Sequence, residues 1–426
     1  MTGDTGTVRQ QDNHRVTATA DLPHRTGSGD GTGPLGGTGH PLRLSILGAT
    51  GSIGTNTLDL VARHPERFEV IALTAQCKAR ELAALAVRHR ARLAVIGDAG
   101  RYDELKALLD GTGIRVAAGP DAVAEAAREP ADCVMAAIVG AAGLRPTFAA
   151  TEQGCRIALA NKECLVSAGD IYMRHAALCG AELIPVDSEH SAAFQAIGRT
   201  DARSIEKIIL TASGGPFRTF EAARLARVTP EEALCHPNWS MGHKITIDCA
   251  TLMNKGLELI EAFHLFPVGA HQLDAIVHPQ SVVHCLVMLE DGSVMAQLAE
   301  PDMRAPIALA LAWPERLATP VARLDLVTLG SLAFEAPDHD RFPALRLAID
   351  TLGAGGAAPA VLNAANEIAV TAFLEKRIGF LDIVETVARC LENAEGHGLL
   401  KPVETLDDVL GIDGEARKMA RSLLPS

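Results

Sequence analysis

Two carboxylates and a histidine follow one short apolar run in Val186-Asp187-Ser188-Glu189-His190. Carboxylates at i and i+2 beyond a strand end can converge on one hard cation. A third acid would complete an all-oxygen site, which discriminates poorly among Mg2+, Mn2+ and Co2+. The pair could equally cap a helix, because Asp and Ser are good N-cap residues. Downstream, Met253-Asn254-Lys255-Gly256-Leu257-Glu258 offers the third carboxylate in Glu258 and natural phosphate ligands in Asn254 and Lys255. Ser213-Gly214-Gly215-Pro216 adds a hydroxyl and open backbone N–H groups, with a plain turn as the alternative. His236, in His236-Pro237-Asn238-Trp239, is either ligand-facing or a structural loop histidine.

A second chemistry precedes these. Leu47-Gly48-Ala49-Thr50-Gly51-Ser52-Ile53-Gly54 joins an apolar run to a stretch of helical period. Glycines there permit a tight turn, and a helix N-terminus presents free N–H groups to a pyrophosphate. An Asp or Glu after the next strand would read a ribose 2′-hydroxyl. Instead the chain has Thr74-Ala75-Gln76-Cys77-Lys78-Ala79-Arg80, and two cations without an acid favour the 2′-phosphate of NADPH. A solvated helix start would also explain Lys78 and Arg80.

These groups need a frame. Strands are expected at 43–47, 68–73, 93–96, 114–116, 133–137, 157–159 and 182–186. Helices are expected between them at 53–64, 79–90, 102–110, 121–128 and 171–179. Such alternation implies βαβ units and a doubly wound, mainly parallel, Rossmann-like sheet in an α/β protein. Beyond Asp187 the texture becomes α+β, with strands at 207–212, 275–278, 282–289 and 293–298. The last two are joined by the hairpin-type turn Glu290-Asp291-Gly292. The expected organisation is an extension (1–40), a cofactor-binding domain (41–187), a catalytic and dimerisation domain (188–312), a proline-marked linker (313–342) and a C-terminal helical bundle (343–426).

Bulk properties narrow the class. The chain has 426 residues, 48% hydrophobic and 21% charged, which suits a folded enzyme of more than one domain. A net charge of −13 argues against nucleic acid as a partner. No run is long and apolar enough for a membrane helix. Nine scattered cysteines without CxxC or Cys/His spacing fit reduced thiols in the cytoplasm. Residues 1–40 are poor in large apolar side chains and read as a disordered extension without a signal-peptide core.

Together GATGSIG (48–54), ALANKE (158–163), PVDSEH (185–190), TASGGPF (211–217), HPNWSMG (236–242) and ATLMNKGLE (250–258) resemble, in order and spacing, the motif series of the 1-deoxy-D-xylulose 5-phosphate reductoisomerase family. The resemblance runs from about residue 42 to near the C-terminus. It implies an NADP-dependent oxidoreductase of the non-mevalonate isoprenoid pathway. Its substrate, a small phosphorylated sugar, would undergo metal-assisted retro-aldol cleavage and re-addition before hydride transfer.

By resemblance, Asp187, Glu189 and Glu258 hold the divalent metal, while Lys162, Glu189 and His236 take catalytic parts. Lys162, Ser188, Glu189, Ser213, His236, Cys249, Asn254, Lys255 and Glu258 contact substrate. Thr50, Gly51, Ser52, Ile53, Gln76, Lys78, Asn161, Glu163 and Gly242 line the NADPH site. Residues 213–243 resemble a mobile flap with Trp239 closing over substrate, and the family's habit implies a homodimer.

Two departures stand out. Cys249 stands where the family usually has a phosphate-binding serine, and Gln76-Cys77-Lys78 displaces the basic charge by one position, leaving open which residue meets the 2′-phosphate. Two rivals remain: a semialdehyde dehydrogenase using Cys249, which leaves the DSE and NKGLE segments unexplained, and a catalytically dead NADPH-sensing regulator, which leaves the carboxylate trio and Lys162 without a purpose.

Overall fold

The computed structural model describes residues 40–239 and 241–425; apart from His40, the expected disordered extension lies outside the described residues. Seven strands, β1 (Leu42–Leu47), β2 (Phe68–Ala75), β3 (Leu93–Ile96), β4 (Arg115–Ala118), β5 (Cys133–Ala136), β6 (Arg156–Leu159) and β7 (Glu182–Pro185), form one sheet in the order β4-β3-β2-β1-β5-β6-β7. Every pairing in it is parallel. Helices α1 (Ser52–Arg63), α2 (Ala79–Arg88), α3 (Tyr102–Leu108), α4 (Pro120–Ala126), α5 (Leu144–Thr151) and α6 (Glu163–Cys179) make the crossovers. The strands are short and mostly apolar because both faces are covered: β5 is buried throughout, and in β1 only Arg43 is partly exposed while Ser45 is buried. In α1 the buried positions Gly54, Thr57, Leu58 and Val61 recur at helical spacing and turn one stripe to the sheet.

Strand order reverses between β1 and β5, which opens a crevice at their carboxyl ends. The Gly48–Gly51 turn stands on one side of it and residues 137–139 on the other. Gly48 has φ +89°, and a Cβ there would lie 2.6 Å from the Ala137 carbonyl oxygen. A Cβ on Gly54 would strike the Gly48 carbonyl. Glycine is therefore required at both ends of this turn.

After α7 (Ser188–Ile197), a second sheet has the order β11-β10-β8-β9, built from β8 (Ile205–Ala212), β9 (Leu273–Val277), β10 (Val283–Leu289) and β11 (Val294–Leu298). The expected β10–β11 hairpin is present, and β8 pairs parallel with β9 and antiparallel with β10. Between β8 and β9 run α8 (Ala222–Leu225), α9 (Pro230–Ala233), α10 (His243–Thr251) and α11 (Met253–Leu265). Then come α12 (Arg304–Ala312), α13 (Leu326–Leu329), and the C-terminal helices α14 (Pro343–Ala354), α15 (Ala358–Leu374), α16 (Phe380–Gly396) and α17 (Leu406–Leu423).

Two differences from the sequence reading have physical causes. The helix expected over 171–179 begins eight residues earlier, at Glu163, and is kinked at Ala168. Gly169 lies at that kink because the His264 ring of α11 fills the space a side chain would need. Helix α12, grouped by sequence with residues 188–312, packs on α1; its Ile307, Ala308, Ala310, Leu311 and Ala312 join the hydrophobic core under the first sheet.

Candidate functional site

Asp187 ends the turn after β7 and caps α7, its side chain accepting from the Glu189 backbone N–H at 3.3 Å. Both readings of this acid therefore coincide: the cap fixes its rotamer and leaves its second oxygen facing inward. Glu189 follows in the first turn of α7 and Glu258 projects from α11. The carboxylates of Asp187, Glu189 and Glu258 offer oxygens within 4.8 Å of one another. Lys162, at the start of α6, inserts its ammonium 2.6 Å from Asp187 Oδ2 and 3.0 Å from Glu258 Oε1, and donates to Asn254 Oδ1 at 2.9 Å. Lys255 pairs with Glu258 and stands 3.5 Å from Glu189. Ser188 Oγ donates to Glu189 Oε2 at 2.7 Å.

Electrostatics follow from this crowding. Burial would lower the Lys162 pKa, but Asp187 and Glu258 outweigh it and hold the ammonium charged. Burial would raise Asp187, yet Lys162 and His190 keep it well below the usual carboxylate range. Burial, reinforced by Glu258 and Asp187, pushes Glu189 up to about 8. Three carboxylates facing one another, Glu258 buried and Asp187 and Glu189 half-buried, make a donor set suited to a hard divalent ion. The residues fit the expected metal.

Behind the trio lies a layer to which the sequence assigned no role. His190 Nε2 donates to the Glu258 backbone carbonyl at 2.9 Å, while Nδ1 stands 3.4 Å from Asp187 and 3.3 Å from Glu261. Its signal was available: Glu261 lies three residues after Glu258 on the same face of α11, where a second buried acid needs a partner.

The trio occupies one end of a cavity of about 450 Å³, which also takes in Gly51, Ser52, Ile53, Ile138, Glu163 and Gly242. Ser213, Cys249, Asn254 and Lys255, the residues expected near a substrate phosphate, all line it as well. His236 Nδ1 accepts from the Trp239 backbone N–H at 3.0 Å and the Asn238 N–H at 3.2 Å, which leaves Nε2–H to donate to Ser213 Oγ at 3.0 Å. Burial pushes His236 down to about 4, so the ring is neutral. Burial also pushes the Cys249 thiol far above its usual value. The 213–243 stretch is not uniformly loose: Phe217, Leu225, Val228 and Ala233 are buried in the second core, and Trp239 borders the cavity.

Beside the Gly48–Gly51 turn the N-terminus of α1 has no side-chain cap, so its N–H groups remain open to a pyrophosphate. The residues there fit a dinucleotide. Gln76 and Lys78 follow β2, the neighbour of β1, but do not line the cavity; Lys78 pairs with Glu81 at 3.1 Å and Arg80 with Glu104 at 3.4 Å. Thr50 does not line it either. Asn161 turns its amide away, donating to the carbonyls of Ile138 and, at 3.1 Å, Gly140. It thus braces the loop after β5 and does not itself face the cavity.

Family models described as 1-deoxy-D-xylulose 5-phosphate reductoisomerase, its C-terminal domain, and DXP reductoisomerase C-terminal domain match residues 44–169, 183–266 and 298–419. The enzyme of that name from Rhodospirillum centenum is 55% identical over 381 residues, covering 89% of this chain and 94% of the relative. The Zymomonas mobilis reductoisomerase, solved in complex with NADPH, is 51% identical with TM-score 0.84, covering 90% of this chain and 99% of the other. A reductoisomerase solved with NADPH, fosmidomycin and magnesium is 44% identical with TM-score 0.86, covering 89% and 98%.

Proposed function

The chain belongs to the 1-deoxy-D-xylulose 5-phosphate reductoisomerase family, and we propose that it converts 1-deoxy-D-xylulose 5-phosphate and NADPH to 2-C-methyl-D-erythritol 4-phosphate and NADP+ in the non-mevalonate isoprenoid pathway. One observation carries the reading: a single cavity joins an open helix N-terminus, three converging carboxylates and a Ser/Asn/Lys cluster. Neither rival reading accounts for the carboxylates and the cluster together.

In this reading Ser213, Asn254 and Lys255 seat the substrate phosphate, with Cys249 beside them. Lys162, Ser188 and Glu189 contact its carbonyl and hydroxyl oxygens, and Lys162 holds a proton at the oxygen that gains negative charge. A divalent ion held by Asp187, Glu189 and Glu258 supplies Lewis-acid polarisation of the substrate oxygens. Rearrangement breaks one carbon–carbon bond and forms another; NADPH then gives a hydride to the resulting aldehyde, and a proton completes the new hydroxyl. His236 holds Ser213, and closure of Trp239 excludes water from the reactive aldehyde. Gly51, Ser52, Ile53, Glu163 and Gly242 border NADPH, and its 2′-phosphate extends beyond the cavity towards Lys78 after β2, with Arg80 as the alternative partner.

We also carry forward a cytoplasmic homodimer, with a cofactor domain at 41–187, a catalytic domain at 188–312, a linker at 313–342 and a helical domain beyond. The nine free thiols and the exposed Val294 and Met295 on edge strand β11 support that assembly. No helix among the described residues is long and apolar enough to cross a membrane. The deciding experiment follows NADPH oxidation with 1-deoxy-D-xylulose 5-phosphate, with and without EDTA. Turnover that survives EDTA, or none with added Mg2+ or Mn2+, would defeat the proposal.

A further inference from the structure

Helix α15 belongs to the C-terminal bundle, yet two consecutive side chains on it reach opposite walls of the cofactor end of the cavity. Glu367 Oε1 accepts from the Ala141 backbone N–H at 3.2 Å and from Asn363 Nδ2 at 3.1 Å. Its other oxygen meets Arg417 of α17 at 2.5 Å, and Arg417 is fixed in turn by Asp413 at 2.7 Å. Ala141 closes the loop whose residues Ala137, Ile138 and Val139 line the cavity. That loop is shaped for its partner: Gly140 has φ +75°, and a Cβ there would lie 2.9 Å from Glu367 Oε1. Asn161 grips the Gly140 carbonyl from the opposite side.

Asn366, fully buried, donates to Asp248 Oδ1 at 2.8 Å. Asp248 Oδ2 holds Lys244 at 2.9 Å, and Lys244 holds Glu163 at 2.9 Å. Lys244, Glu163 and Asp248 all line the cavity, Lys244 one residue past His243 at the end of the 213–243 stretch. Successive residues of an α-helix diverge by about 100°, which is why neighbours on α15 serve two walls.

We propose that Asn366 and Glu367 are positioning residues for the cofactor: from one rigid helix they set the separation of the 137–141 loop and the Glu163–Lys244 wall, so that the C-terminal bundle determines NADPH affinity without touching the cofactor. The proposal rests on the cofactor placement given above. A merely structural role would loosen both ends of the cavity alike. A positioning role predicts a split.

The test uses the full chain. Wild-type amide exchange with and without NADPH checks the placement, and protection of residues 48–54 and 137–141 is expected. NADPH affinity by fluorescence titration and KM for both substrates are then measured for Glu367→Ala, Asn366→Ala, Glu367→Gln and Arg417→Gln. In Glu367→Ala and Asn366→Ala the NADPH dissociation constant should rise about three- to tenfold, a part of what one charged hydrogen bond supports. The KM for sugar phosphate should stay within about twofold. Glu367→Gln, which keeps an acceptor for Ala141, should recover most of the loss. Should Glu367→Ala not fold, Arg417→Gln withdraws the outer anchor and should shift NADPH affinity in the same direction. Protection in the wild type with unchanged NADPH affinity in the variants overturns this inference alone, as does equal weakening of both substrates. Absence of protection overturns the cofactor placement, and this inference with it.

Discussion

Replacing Glu258 by Gln removes one charge and almost no volume. Glu258 is 1% exposed and is shared by Lys162, at 3.0 Å, and Lys255. In the variant Lys162 keeps Asp187 at 2.6 Å, while Lys255 keeps only Glu189 at 3.5 Å. An arriving divalent ion then faces two carboxylates and the same two ammonium groups. One charge-assisted contact is worth about 1.5–3 kcal/mol, so Mn2+ affinity should fall roughly ten- to hundredfold. Turnover should be abolished or nearly so, because the same carboxylate acts in the transition state. NADPH affinity should hold, since the side-chain partners of Glu258 are Lys162, Asn254 and Lys255, none of them in the Gly48–Ile53 turn or the 137–139 loop. The assay combines kcat at saturating NADPH and Mn2+, paramagnetic Mn2+ titration and NADPH fluorescence. Retention of more than about a tenth of kcat, a loss below ~1.4 kcal/mol, with unchanged Mn2+ affinity would refute the assignment of Glu258 as a ligand.

Three further outcomes are expected. Lys78→Ala should weaken NADPH by about 1.5–3 kcal/mol and NADH far less; equal effects in parallel titrations would pass the 2′-phosphate to Arg80. Cys249→Ser should lower KM for the sugar phosphate by up to about 1.5 kcal/mol, because a hydroxyl donates to a charged oxygen better than a neutral thiol. An unchanged KM, with no protection of Cys249 from alkylation by substrate, would place that side chain outside the phosphate site. His236 concerns stability: burial holds it down at about 4, whereas the unfolded chain takes up its proton near 6.5. Its contribution is thus intact above pH 6.5 and is lost as the pH falls towards 4. His236→Gln should lessen the drop in Tm between neutral pH and about pH 5, and an identical drop would show that His236 is not the group responsible.

The first sheet was legible because each strand is a short apolar run and each crossover carries helical period, as in Leu93–Ile96 and Ala79–Arg88. The acidic trio was legible from residue type, since carboxylates after a parallel strand fall where the fold opens. What periodicity cannot show is which surface a buried stripe meets. Helix α12 is apolar nearly all round, so nothing in Ile307–Ala312 said that it would pack under the first sheet. Asn161 was given to the NADPH site by resemblance alone; that its amide would also donate to the carbonyls of Ile138 and Gly140 depends on the loop after β5, which no pattern near residue 161 shows. Lys244, Asp248 and Asn366 were invisible for the same reason: their partners lie up to 118 residues apart in the chain.

Helix α12 also bears on how the molecule comes to exist. A chain leaving the ribosome completes all seven strands of the first sheet by Pro185, with α1, α2 and α3 already on the face that α12 shares, yet the part of that face over β6 and β7 stays bare until residues 304–317 have been made. Until then the nascent chain carries a finished sheet with an uncovered apolar patch, the kind of surface that chaperones hold and that aggregates when crowded. For the same reason a fragment cut at residue 187 would leave that patch open to water. A separately produced cofactor half would need the 304–317 segment grafted back to remain in solution.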